Sequence, residues 1–184
     1  MKFLTILILA VSVAMAQQPK EPTYWASDSL VRPANATQYT ANDVVNDSLS
    51  SANKILAFKY AAKTAKGSGV IVAALLEIDT ANVTNGNYRL LLFSDSVGSA
   101  ADNAAWVPSH ANNDRFIGAI DFALEINQSA GAGAAMGMNT GLVSPFVSGG
   151  RQAYGYIYGV LLAKGAHTPK FNGKYRVKLG ILRD

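Results

Sequence analysis

A chain of 184 residues with 49% hydrophobic and 15% charged residues is long enough to bury a core of its own, and that composition excludes a disordered polypeptide. Cysteine is absent, which removes disulfides, thiol nucleophiles and Cys-containing metal sites. The net charge of +4 is spread along the chain, densest at Lys54, Lys59, Lys63 and Lys66; a nucleic-acid groove concentrates bases and interleaves aromatics, so no nucleic-acid partner is expected.

Residues 1–16 read as a secretory leader. Lys2 supplies the positive start, Phe3 to Val13 the apolar core, and Ala14-Met15-Ala16 the small-x-small cleavage pattern before Gln17. The apolar run is shorter than the roughly 20 residues a bilayer-spanning helix needs, and no later segment comes closer, so no membrane span is expected once the leader is removed. The alternative for this segment is a hydrophobic arm that inserts into a neighbouring subunit or a membrane. Residues 17–29 form a polar, proline-bearing linker, and residues 30–184 a single domain.

Short β segments are predicted around Asp43 to Val45 and over Lys54 to Tyr60, where Leu56, Phe58 and Tyr60 share one face. Ser68 to Asp79 carries Val70, Val72, Ala74, Leu76 and Ile78 on one face and Ile71, Ala73 and Leu75 on the other. With Asn87 to Phe93 it spells a β-hairpin around Asn85-Gly86, residues that tolerate the positive φ of a tight turn. Ser94 to Asn113 is a long connection containing Trp106, with a helical turn near Ala100 to Ala105; loops of this length are usually functional or partner-facing. Arg115 to Phe122 resumes alternation, with Phe116, Gly118, Ile120 and Phe122 on one side. Ser129 to Gly137, SAGAGAAMG, reads as a small-residue loop.

Strands near Leu142 to Val147, Ala153 to Ala163 and Lys174 to Leu182 complete the domain. In the last, Tyr175, Val177, Leu179 and Ile181 alternate with Lys174, Arg176 and Lys178, as a sheet with one wet face requires. The fold class is therefore all-β, a single antiparallel, jelly-roll-like β-sandwich of about eight strands. Its expected core includes Val70, Val72, Leu76, Tyr88, Leu90, Leu92, Ile120, Val177, Leu179 and Ile181.

No catalytic constellation emerges. His110 and His167 lie in loop-like sequence and read as surface histidines, and no serine occupies a Gly-x-Ser-x-Gly elbow. Gly131-x-Gly133-x-x-x-Gly137 has the wrong spacing and context for a dinucleotide loop. Asp95, Asp102, Asn103 and Asp114 match no calcium-loop spacing, and hydration with local turn hydrogen bonds explains them better. Four Asn-x-Ser/Thr sequons, at Asn35, Asn46, Asn82 and Asn127, are accidental in an Asn-rich chain. No catalytic, cofactor-binding or metal-ligating residue is assigned, and no cofactor is expected.

The phrases GSGVIVAALLEIDTANVTNGNYRLLLFSD, ADNAAW and FIGAIDF, with RPANATQYTANDVVNDS before them and KYRVKLGILRD at the C-terminus, carry a likeness. From about Arg32 onward the chain resembles a family of small all-β proteins encoded among the virion structural genes of tailed bacteriophages. The resemblance implies a non-enzymatic virion structural role, most plausibly a capsid-surface or decoration component that self-assembles or joins other virion subunits, located in the virion. It implies no active site. The leader points to the alternative: a secreted or cell-surface protein, either an exported bacterial surface or filament subunit or a carbohydrate-binding sandwich module.

An assembly surface is sought where aromatics line one face of a strand. Tyr154, Tyr156 and Tyr158 do so, opposite Gly155, Ile157 and Gly159, whose two glycines permit close backbone approach. Tyrosine offers stiff, amphipathic contact area, which suits interfaces and equally the margin of a core. The face of Leu91 and Phe93 and the loop around Trp106 are the second place to look.

Overall fold

Alternation over the C-terminal strand organises the first of two sheets. Burying Tyr175, Val177, Leu179 and Ile181 leaves Arg176 exposed and Lys174 and Lys178 half-exposed. The computed structural model describes residues 23–47, 54–79, 82, 84, 86–122, 126–129, 132–137, 144–147 and 155–184. In chain order its strands are β1 (Tyr24–Val31), β2 (Leu56–Ala62), β3 (Ser68–Ile78), β4 (Tyr88–Phe93), β5 (Phe116–Phe122), β6 (Ile126–Ser129), β7 (Ala132–Gly137), β8 (Ser144–Val147), β9 (Gly155–Ala163) and β10 (Lys174–Arg183), with one short helix, α1 (His110–Asn113), before β5.

The strands form an antiparallel β-sandwich. One sheet runs β1-β10-β3-β7-β6, and β8 also pairs with β3; the other runs β2-β9-β4-β5. Strands β1 to β4 alternate between the sheets. The closing strands return to sit inside them, β10 between β1 and β3 and β9 between β2 and β4. Along one edge of β3, β7 pairs with Ala74 to Ile78 and β8 with Ser68 to Ile71, so two successive strands share that edge. Leu76, Leu90, Leu92, Ile157, Tyr175, Val177 and Leu179 meet between the sheets at 2% exposure or less. Gly159 makes room within the second sheet for its neighbours' side chains: a Cβ there would lie 2.9 Å from Leu90 Cδ1 of β4 and 3.0 Å from Phe58 Cε2 of β2.

Several expectations are corrected. β3 and β4 form no hairpin: β3 pairs with β10, β7 and β8, whereas β4 pairs with β5 and β9 in the opposite sheet. The chain after Asp79 crosses between layers about 10 Å apart, a span its length allows and a two-residue turn would not. Gly86 serves space rather than positive φ, because a Cβ there would strike His167 at 2.7 Å. Residues 132–137 of the supposed small-residue loop are strand β7, since ladder pairing with β3 uses backbone groups that any small residue presents. The antiparallel sandwich itself is as expected, with ten strands among the described residues. β1 begins at Tyr24, inside the segment read as linker, and the helical turn lies at His110–Asn113 rather than near Ala100. Asp43 and Val44 make isolated bridges to Ala105 and Leu162 in place of a strand.

Three irregularities in pairing account for the remaining misplacements, because each breaks the simple alternation of inward-facing residues: one extra residue in β3 and in β5, two in β2. In β3, Ala73 opposes Gly180 and Ile71 opposes Ile181, leaving Val72 extra. Ile71 therefore enters the core in place of Val70 and Val72; Val70 is half-buried and Val72 is 42% exposed. In β2 the register shifts between Lys59 and Ala62, and Tyr60, with φ at 59°, turns outward while Ala61 and Ala62 are buried. In β5 the shift beside Ile117 sends Phe116 to the face opposite Ile120 and Phe122. The leader, Asn85 and Tyr154 lie outside the described residues.

Candidate functional site

The second sheet has a structured outer face as well as an inner one. On it Phe93 stands directly opposite Tyr158 of β9 and Phe116 of β5, so the ladder lays three aromatic residues in one row across three strands. The Phe93 and Phe116 rings meet edge to face at 5.7 Å. Tyr156 follows Tyr158 along β9 on the same face, their rings 6.0 Å apart and nearly parallel at 14°. Leu91 lies one row away, opposite Val160.

The 94–109 connection brings Trp106 onto this surface. Its ring packs edge to face on Phe93 at 5.8 Å, and its indole N–H donates to the Gly98 carbonyl at 3.0 Å. Val44, Phe93, Val97, Val160 and Leu162 are buried beneath, a second apolar cluster outside the sandwich core, with Leu91, Trp106 and Tyr158 half-buried against it. Between Leu91, Phe93, Trp106, Pro108, Asn113 and Phe116 an apolar groove of about 220 Å³ is open to solvent. Val107 beside it is 83% exposed and Phe116 48%.

Charge stands at the two ends of this face. At one, Arg89 donates two hydrogen bonds to Asp121, at 2.7 and 3.0 Å, and Lys164 Nζ reaches the same carboxylate at 2.8 Å. The Arg89 hydrogen bond, seconded by Lys164, holds the Asp121 carboxyl down at about 2. At the other, Lys59 opposes Tyr156, while burial and then the charge of Asp95 raise the Tyr158 phenol above its ordinary range. The centre of the face carries no ionised side chain among its described residues, the distribution that protein interfaces favour.

A buried polar cluster fastens the Trp106 loop. Arg32 and Asp102 form an ion pair at 2.7 Å with both side chains at 0% exposure. The Tyr39 hydroxyl donates to Asp102 at 2.6 Å, the Asn46 backbone N–H donates to it at 3.0 Å, and Arg32 also bonds Tyr39 and the Lys170 carbonyl. Burial, with Asp102 beside it, raises the Tyr39 phenol far above its ordinary range, so it stays a donor. Burial works most strongly against the charge of Arg32, but its hydrogen bond to Asp102 together with the surrounding Tyr39, Asp102 and Tyr175 outweighs it and raises the guanidinium. From Asp102 the chain pairs with the 42–44 segment: Asn103 N–H donates to Val44 O at 2.9 Å, Val44 N–H to Ala104 O at 2.9 Å and Trp106 N–H to Asn42 O at 3.2 Å.

Of the residues singled out in the sequence, Tyr156, Tyr158, Leu91, Phe93 and Trp106 come together on one surface, so the tyrosine row and the Trp106 loop are a single place. Phe116 was missed because its bulge reverses the alternation. His110 is exposed, whereas His167, read as a surface residue, is 1% exposed between the rings of Tyr39 and Tyr88. The acids considered for calcium part company: Asp102 is committed to Arg32, and Asp95 accepts the Ser96 N–H in a local turn. Among the described residues no group of three or more His, Asp or Glu side chains is placed to hold a metal. No helix there is long and apolar enough to cross a membrane.

No protein-family model matches this chain, and no curated protein does. Among solved structures it is similar to the capsid of Ralstonia phage GP4, at 13% identity and a TM-score of 0.36, over 92% of this chain and 89% of that one.

Proposed function

We propose that this protein is a non-enzymatic structural subunit of a virion, a capsid-surface or decoration component that binds neighbouring shell subunits through the outer face of its second sheet. The observation that carries the reading is the aromatic row Tyr158, Phe93, Phe116, held in register across three strands and continued by Tyr156 and Trp106, with an open groove beside it. Rigid aromatics on a flat sheet, bounded by charge at the ends, are the composition of a protein–protein hot spot. The return of β9 and β10 into the sheets reads as jelly-roll-like and supports the assignment, since capsid domains use that architecture. So do the virion-family phrases from Arg32 to the C-terminus.

The test is assembly set against stability. Replacing Tyr156 by Ala and Phe116 by Ser removes exposed or half-exposed aromatic area and no side chain of the sandwich core. Light scattering should show particle or oligomer formation weakened at least tenfold in concentration dependence, about 1.4 kcal/mol, while the monomer melts within a few degrees of the parent. A collapse of the melting transition would return these rings to the fold; assembly at the parental concentration would move the interface elsewhere.

The leader favours a second reading, an exported surface subunit. Intact mass spectrometry separates the two. Export predicts an N-terminus at Gln17 and a net charge falling from +4 to +3, because Lys2 is the only charged residue removed. Met1 retained in assembled material sinks the export reading and assigns residues 1–16 to a hydrophobic arm.

A further inference from the structure

The segment around His167 ties two separate stretches of chain together at one end of the sandwich. The His167 carbonyl accepts the Tyr39 N–H at 3.0 Å; Thr84 N–H donates to the Thr168 carbonyl at 3.1 Å and Thr168 N–H to Thr84 Oγ1 at 2.6 Å. Lys170 N–H donates to Asn82 Oδ1 at 3.2 Å. The imidazole fills the space these bonds enclose, its centroid 5.0 Å from the Tyr39 ring and 5.1 Å from the Tyr88 ring, with Gly86 close enough that a Cβ would lie 2.8 Å from Nε2.

This setting accepts a neutral imidazole and opposes a charged one. Nδ1 lies 3.1 Å from the Gly165 carbonyl, an acceptor only, so Nδ1 carries the proton. Nε2 is buried and has no hydrogen-bond partner among the described residues. A second proton would make Nε2 a donor with nothing to donate to and place a cation in the field of buried Arg32. Asp102, the partner of that Arg32, is already taken by Arg32, Tyr39 and the Asn46 N–H. The other titratable groups facing the ring are the phenols of Tyr39 and Tyr88, with Tyr175 behind Tyr88, and these hold no negative charge at neutral or acid pH.

We propose that the His167–Lys170 segment is an acid-release latch, in which the neutral imidazole closes the Tyr39 and Thr84 segments over this end of the sandwich and its protonation lets them go. Burial first, and Arg32 after it, push His167 below its ordinary value of 6.5 against the opposing Gly165 hydrogen bond. The opened or unfolded chain, with an ordinary imidazole, takes the proton first. The stabilisation is therefore complete above about pH 6.5 and is lost as pH falls from there through the folded-state value. The bistable element is the latch segment; the strand ladders do not titrate with it.

Amide hydrogen exchange at pH 7.5 and 5.0, corrected for intrinsic rates, tests this on the intact protein. Protection at the Tyr39, Thr84 and Thr168 amides should fall several-fold more at pH 5.0 than protection at Leu76 and Leu179. His167→Phe, which keeps a ring between the two tyrosines, should abolish that difference, whereas His110→Gln should leave it intact. If His167→Phe fails to fold, direct NMR titration of the His167 ring in the parent decides: a value below 6.5 sustains the latch, and one at or above 6.5 overturns it. Equal protection ratios at the two pH values would also overturn it.

Discussion

Replacing Asp102 by Ala is expected to cost about 3–5 kcal/mol of folding stability in urea titration, because it strands a buried guanidinium without its counter-charge. Arg32 and Asp102 are both fully buried, and Asp102 additionally accepts from Tyr39 and Asn46. The contrast is Asp121→Ala, which breaks two ion pairs of similar length, to Arg89 and Lys164, among side chains 37–45% exposed, and should cost no more than about 1 kcal/mol. The Asp102 variant should also blunt assembly, since Asp102 begins the stretch that pairs with residues 42–44 and delivers Trp106 to Phe93. The double variant Arg32→Met, Asp102→Leu should recover most of the lost stability, as apolar replacements of buried ion pairs often do. A loss under about 1 kcal/mol for Asp102→Ala would mean that water already reaches this cluster.

Leu90→Ala and Leu179→Ala should each lose about 2–5 kcal/mol, the range for deleting most of a buried leucine where neighbours cannot close the gap. The two residues sample opposite layers. Leu179, between Ala26 and Ala74 in β10, has small partners on both sides and little that could move in to fill the void. Leu90 packs over Gly159, whose Cα already sits against it. Val72→Ala is the internal control: at 42% exposure on a bulge it should cost under about 1 kcal/mol, although it belongs to the same apolar run as Ile71 and Leu76. Loss of stability at Val72 comparable to that at Leu179 would put the bulge elsewhere in β3.

The all-β class and the inward set of β10 were legible because an uninterrupted period of two leaves one choice of face. The same rule misled in β2, β3 and β5, where two extra residues in β2 and one each in β3 and β5 interrupt the alternation and nothing in Lys59-Tyr60, Val70-Ile71-Val72 or Phe116-Ile117 announces it. Local signals also misjudged what is nonlocal. Asn85-Gly86 looks like a hairpin turn, yet β3 finds β10 and β4 finds β9 far along the chain, Phe93 pairing with Tyr158 and Ile78 with Tyr175. Arg32, Asp102 and His167 carried no mark of burial, because only the folded connections bring a guanidinium at the end of β1 against a carboxylate 70 residues on. The candidate surface was legible in parts: the tyrosines announced themselves by alternation, but their continuity with Phe93 and Trp106 depends on a cross-strand register that no single segment encodes.

The three bulges bear on how the ladder stays in step when many copies crowd together. A strand that alternates without interruption looks the same to its neighbour after sliding two residues, so its inward set alone does not forbid the slide. A strand whose parity reverses partway is different. Sliding β3 by two along β10 would either carry the Val72 kink away from Gly180 and Ile181 or turn residues near it to the wrong side. β5 against β4 carries the same kind of notch, and β2 bulges by two residues, Tyr60 and Ala61, against β9. Each sheet is thus keyed like a lock, with one depth of insertion per strand, and a strand borrowed from another molecule would have to match the notch as well as the polarity. Wherever copies meet at high local concentration, as in the role proposed above, that keying steers contact between them toward the faces and away from strand exchange.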